Sequence, residues 1–151
     1  MRTPKTVEEH LQEGTIKKIT PDHNRAENLR REATRKYRKL HKTIETQGIE
    51  EEDANDYLED CYNIIMQLIR AHMLEQGYNS TGRGAHEAEI AYAKKLGLQE
   101  QELETLDQLR YLRNGILYYG KTNDKEYAQK IIDYTEKFYQ DNQHNNPPEP
   151  E

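Results

Sequence analysis

An all-α fold, an up-and-down bundle of five to six helices, is what this sequence predicts, and three observations predict it. Apolar residues recur at spacings of three and four along several long segments, the pattern of one buried helix face. No stretch alternates apolar and polar residues over strand length. Glycines at 14, 48, 77, 97 and 120 fall just past the ends of the periodic segments, where a glycine commonly closes a helix. A chain of 151 residues suits one domain with a core large enough to need neither disulfide nor metal.

Each element has its own signal. Thr3 and Pro4 read as the N-cap and first residue of a short helix over 4–13, offering Val7 and Leu11 to a partner surface. The same pair recurs at Thr20 and Pro21 and opens a second, longer helix. Its stripe is Ala26, Leu29, Ala33, Tyr37, Leu40 and Ile44, ending near Gly48. The acidic "EEEDAND" suits a helix N-terminus and starts a third, with Tyr57, Cys61, Ile64, Ile65, Leu68 and Met73 before Gly77. "GYNSTGRG" (77–84) reads as an interhelical loop. A fourth helix over 86–96, a fifth from about 100 to 119 and a sixth over 124–140 follow. These make one domain over 1–141. "NQHNNPPEPE" (142–151) is a polar, proline-rich tail with nothing to bury and is expected to be disordered.

Composition narrows the function classes. A third of the residues are charged and no apolar run approaches a membrane span, so a soluble protein that does not enter a membrane is expected. "MRTPKTVEEHLQEG" has neither the apolar stretch of a signal peptide nor the character of a transit peptide, and points to the cytoplasm. The single cysteine, Cys61, excludes an internal disulfide and any multi-cysteine metal site, and its place in an apolar stripe reads as core filling. Six histidines are scattered without an i, i+4 pair, so no metal and no cofactor are expected. Eleven tyrosines against one phenylalanine and no tryptophan put much of the large side-chain area under a hydroxyl.

Three stretches hint at chemistry. "GYNSTGRG" echoes a phosphate-binding loop, but Arg83 and Gly84 stand where lysine and a hydroxyl residue belong, and a helix precedes it. It leads into a helix N-terminus bearing His86, where backbone N–H groups can receive an anion. "AHEAEI" starts like a zinc-protease helix, yet Ile90 occupies the second histidine position. His86 is a polar contact at a helix start or a base. "RREATRKYRKLHK" places Arg31, Arg35, Arg38 and Lys42 opposite the apolar stripe of the second helix. From Arg25 to Lys42 there are eight cations against Glu27 and Glu32, a basic face on a chain of net charge −6. It reads either as a solvated face partly neutralised by Glu50, Glu51, Glu52 and Asp53, or as a docking surface for RNA phosphates or an acidic partner.

"LRYLRNGILYYG" (109–120) is an apolar-periodic segment that carries Arg113 and Asn114. An arginine in the last turn of a helix offsets the dipole and pairs with a carboxylate such as Asp107, or belongs to a polar groove. With "VEEHLQEGTIKKITPDHNRAENLRREA", "GYNSTGRGAHEAEI" and the tyrosine-rich last helix, in that order and spacing, the chain resembles the HEPN superfamily. This is the higher eukaryotes and prokaryotes nucleotide-binding domain, here in the form of its small stand-alone prokaryotic members. The resemblance implies an up-and-down helical bundle, commonly a homodimer, often encoded beside a minimal nucleotidyltransferase. Active members are metal-independent ribonucleases with an arginine, four to six residues of which the first is usually polar, then a histidine. Arg113 and Asn114 match; five and six residues after Arg113 stand Tyr118 and Tyr119. Where nucleotidyltransferase-paired members have an acceptor tyrosine, this chain has Gly120.

The resemblance therefore implies an RNA- or nucleotide-binding, toxin-like protein of weak or absent ribonuclease activity. Arg113, Asn114, Tyr118 and His86 are its catalytic candidates, and Arg83, Tyr119, Arg31, Arg35 and Arg38 its binding candidates. An arginine fork suits a phosphorane charge. A phenol with a pKa of about 10 is a poor base near neutrality unless a nearby cation, such as Arg113 beside Tyr118, lowers it strongly; if cleavage survives, the hypothesis is that His86, from a neighbouring helix or from the other protomer, supplies the base. A non-catalytic adaptor or binding module, or a helical scaffold, is the alternative.

Overall fold

A computed structural model describes residues 4–113 and 125–143, with the side chains of Leu112, Arg113 and Gln143 outside that description. The fold is all-α, as the periodicity predicts. Six α-helices run through the described residues: α1 (Val7–Glu13), α2 (His23–Gln47), α3 (Ala54–Glu75), α4 (Ala85–Lys95), α5 (Glu100–Arg113) and α6 (Lys125–Gln143). Two three-residue strands, β1 (Ile16–Lys18) and β2 (Tyr78–Ser80), pair antiparallel with Ile16 opposite Ser80. The chain divides into two compact units. Unit 1 is Met1–Leu29 with Ile69–Gln108, and unit 2 is Arg30–Leu68 with Leu109–Glu151; α2, α3 and α5 each contribute a segment to both.

In unit 1, α1 starts later than its Thr-Pro signal predicts. Thr6 is the N-cap, its hydroxyl accepting from the Glu9 amide at 3.1 Å while the Glu9 carboxylate accepts from the Thr6 amide at 3.0 Å. This reciprocal box satisfies two otherwise orphaned donors. Thr6→Ala is expected to cost about 1 kcal/mol, read as a lower urea midpoint with an unchanged m-value. α2 likewise begins after Asp22, whose carboxylate accepts from the Arg25 amide at 3.1 Å, and not at Thr20-Pro21. Ala26, Ala71 and Leu74 form a buried cluster against which Ile19 and Leu29 pack. The segment 77–84, expected as a loop, contains β2. Hydrogen bonds from the Ile19 amide to the Gly77 carbonyl (2.8 Å) and from the Thr81 amide to the Thr15 carbonyl (2.9 Å) extend the two-stranded pairing at both ends.

In unit 2, α3 supplies Tyr57, Leu58, Cys61, Tyr62, Ile64, Ile65, Met66 and Leu68, all buried. Three consecutive buried residues, 64–66, span about 200° of a helix, so this helix is covered on more than the one stripe its spacing suggests. The Tyr57 hydroxyl donates to the Gly48 carbonyl at 2.8 Å. α6 contributes Ala128, Ile131, Ile132, Phe138 and Tyr139 to the interior. It also runs past the expected start of the tail. Asn142 is buried, and its amide donates to the Phe138 carbonyl at 2.8 Å, so a polar side chain is satisfied within the last turn. Glu51, one of the four carboxylates considered for the basic face of α2, accepts from the Lys125 amide at 3.3 Å, at the start of α6. No described helix is long and apolar enough to cross a membrane.

Candidate functional site

The sequence-predicted site divides between what is described and what is not. Arg113 is the last residue of α5, and the candidates Asn114, Tyr118 and Tyr119 lie outside the described residues. Less than one turn before Arg113, Tyr111 stands 40 % exposed on α5, with the Arg110 guanidinium 5.9 Å from its ring centre. This is a cation over an aromatic face at the surface of unit 2. Tyr111 is the large apolar side chain left most open among the described residues, and in the sequence it is one tyrosine of eleven.

The basic candidates of α2, Arg31, Arg35 and Arg38, are exposed, as their helical-wheel position predicts. Arg35 is forked onto Glu32 of its own helix, at 2.9 and 3.1 Å. This pairing holds the Glu32 carboxyl below the usual carboxylate range. The pair is open to water and adds little to stability, but it offsets one charge of the basic face.

Arg83 and His86 belong to unit 1. Arg83 is exposed on the turn between β2 and α4. His86, in the first turn of α4, has its side chain 9 % exposed, and its Nε2 lies 3.4 Å from Asp107 Oδ1 on α5. Asp107, weighed as a partner for Arg113, thus faces a histidine.

A second polar constellation in unit 1 has no counterpart in the sequence motifs. Glu89 on α4 is 2 % exposed, and its Oε2 accepts from Arg70 Nε of α3 (2.9 Å) and from the Ser80 hydroxyl of β2 (2.6 Å). The other oxygen, Oε1, is buried without a hydrogen-bond partner. The three residues line a cleft of about 330 Å³ together with Arg25, Leu29, Tyr78 and Asn79. One local signal marks Glu89: it shares the inward arc of α4 with the buried Ala88, Tyr92 and Ala93, where an unpaired carboxylate would be costly. Its partners lie 19 and 9 residues away in sequence, so no short motif joins them. No group of three or more metal-ligating side chains occurs among the described residues. Compared with protein-family models, curated proteins and solved structures, the chain matches none.

Proposed function

We propose that the protein binds RNA or a nucleotide through the α5 surface that ends in Arg113. It would be a HEPN-like, toxin-like half of a two-component system whose other half is a minimal nucleotidyltransferase, working in the cytoplasm as a homodimer. The observation that carries the reading is the surface next to that arginine. Exposed Tyr111 with the Arg110 guanidinium over its ring offers the aromatic and cationic platform on which unpaired bases stack. The exposed Arg31, Arg35 and Arg38 of α2 supply a second, sequence-indifferent attraction for phosphates.

The absence of a histidine five or six residues after Arg113, where Tyr118 and Tyr119 stand, favours a binding role with weak or no cleavage. The adaptor reading draws its support from that substitution. Incubation with total RNA and with a transfer-RNA pool, without metal, separates the two. Intact RNA with salt-sensitive retention is the expected result, and Tyr111→Ala is expected to weaken retention of single-stranded RNA about tenfold. Cleavage that Arg113→Ala abolishes would make the protein an active ribonuclease. Absence of both cleavage and retention overturns the proposal and leaves a helical scaffold.

A further inference from the structure

The two-stranded ribbon of unit 1 has a free edge, and a cleft runs beside it. The pairing sets Ile16 opposite Ser80, Lys17 opposite Asn79 and Lys18 opposite Tyr78. Beyond its two ends the Thr81 amide donates to the Thr15 carbonyl and the Ile19 amide to the Gly77 carbonyl. Bonded and non-bonded positions alternate along an antiparallel pair, so Lys17 and Asn79 are the bonded pair between those two. The main-chain N–H and C=O groups of Tyr78 and Ser80 therefore point away from β1, and among the described residues nothing bonds them. Tyr78, Asn79 and Ser80 all line the cleft. Successive side chains of a strand point to opposite faces, so a cleft that touches all three lies along the strand's edge. The outer edge of β1 is closed in another way: Ile16 is 1 % exposed, and Lys17 and Lys18 set exposed charges along it. β2 has no such guard, because its three residues are half-exposed and uncharged. An open, uncharged edge invites a further strand.

The lining of the cleft says what kind of strand. Leu29, Met73 and Leu74 give it an apolar side. Of its two guanidinium groups, that of Arg70 is paired with Glu89, whereas Arg25, exposed in the first turn of α2, forms no ion pair among the described residues. We propose that the cleft binds an extended, acidic peptide segment of a partner protein, which adds to β2 as a third strand. The main chain of the segment bonds to Tyr78 and Ser80, its apolar side chains lie against Leu29, Met73 and Leu74, and its carboxylate meets Arg25. β2 spans about 10 Å at ~3.4 Å per residue, so about three residues of the partner are paired. A second copy of this chain is the poorer occupant, because joining β2 to β2 brings two unpaired Arg25 side chains to one junction. The site belongs to unit 1 and does not use Arg113, so it stands or falls apart from the RNA reading.

An amide NMR titration of the full chain with the blocked peptide acetyl-Thr-Val-Glu-Val-Thr-amide tests it. The Tyr78 and Ser80 amide protons are expected to move downfield as they gain acceptors, and the Asn79 amide proton, already bonded to Lys17, to move little. Two N-methylated forms of the peptide, one on the valines and the other on the residues that alternate with them, remove alternate main-chain donors. One form is expected to lose binding and the other to keep it, as a strand paired on a single edge requires. The peptide with lysine in place of glutamate is expected to bind about fivefold more weakly. Arg25→Glu is expected to abolish that preference with an unchanged melting temperature, and Arg113→Ala to change nothing. The peptide comparisons use the unaltered chain and decide the matter even if a variant fails to fold. No response at Tyr78 and Ser80, the same response to both N-methylated forms, or equal binding of the acidic and basic peptides overturns the proposal. The same shifts on concentrating the chain alone would assign the edge to a second copy and overturn it as well.

Discussion

Gly77→Ala is expected to lower stability by about 2–4 kcal/mol, the sum of a left-handed backbone forced on an L-residue and a steric displacement. Gly77 has φ +87°, and a Cβ built on it would lie 2.8 Å from the Ile19 carbonyl oxygen, with Pro21 Cγ and Cδ at 3.5 and 3.6 Å. The obstacle is backbone, not the far end of a flexible side chain, so the chain itself has to move. What would move is the junction that builds unit 1. The Gly77 carbonyl accepts the Ile19 amide at 2.8 Å, and its amide donates to the Leu74 carbonyl at 3.2 Å. β1 and β2 start from that junction, and β2 delivers Tyr78 and Ser80 to the cleft. For a chain of this size the loss corresponds to a melting temperature lower by roughly 5–15 °C. Gly82→Ala is the control. Gly82 has a similar φ of +74° but nothing within 4 Å of the added Cβ, so it bears only the conformational part. Equal losses at the two positions would show that the approach to Ile19 is relieved at no cost.

That junction also explains why the small sheet is not legible in the sequence while the helices are. The stripe Ala26, Ala33, Leu40 repeats every seven residues and is buried at 0, 0 and 2 % exposure, so local spacing alone places α2. A period of two leaves no trace over three residues, and β1 and β2 are joined across some sixty residues of chain by a glycine whose neighbour is decided in three dimensions. Helix starts differ from their sequence signals for a related reason. Thr-Pro is a sound cap signal, yet at both helices the acceptor that reaches an orphan amide stands further along, at Thr6 and at Asp22. The chemistry is legible where it is written in a short motif and silent where it is assembled. Arg113 stands out in "LRYLRNG"; Glu89 does not, because Arg70 and Ser80 come to it from another helix and a strand. Tyr111 differs from the other described tyrosines in being left outside, which composition does not reveal.

Alkaline pH is expected to unfold the protein well before its lysines alone would account for it, and Cys61 sets the window. Burial pushes the Cys61 thiol up from 9.0 to about 12, and a hydrogen bond with Thr135 offsets only part of the effect. Between those two values the unfolded chain carries a thiolate and the folded chain still holds the proton. The folded state then binds more protons than the unfolded one, so stability falls as pH rises, by up to about 1.4 kcal/mol per pH unit. Across the window the loss approaches about 4 kcal/mol, a large part of the stability of a typical domain. Below pH 9 the thiol is protonated in both states and contributes no slope. Tyr92, also pushed up to about 12 by burial and by the nearby Tyr78, acts with the same sign from about pH 10 upward. Urea midpoints between pH 8 and 11 read the slope directly. Cys61→Ala leaves a small void and lowers the midpoint at pH 8, but it should flatten the decline above pH 9. An equally steep decline in that variant would show that the thiol is not the group being titrated. Reaction of Cys61 with a thiol reagent at pH 8 gives an independent reading, because a thiol held this far from its thiolate should react only at the rate at which α3 is uncovered.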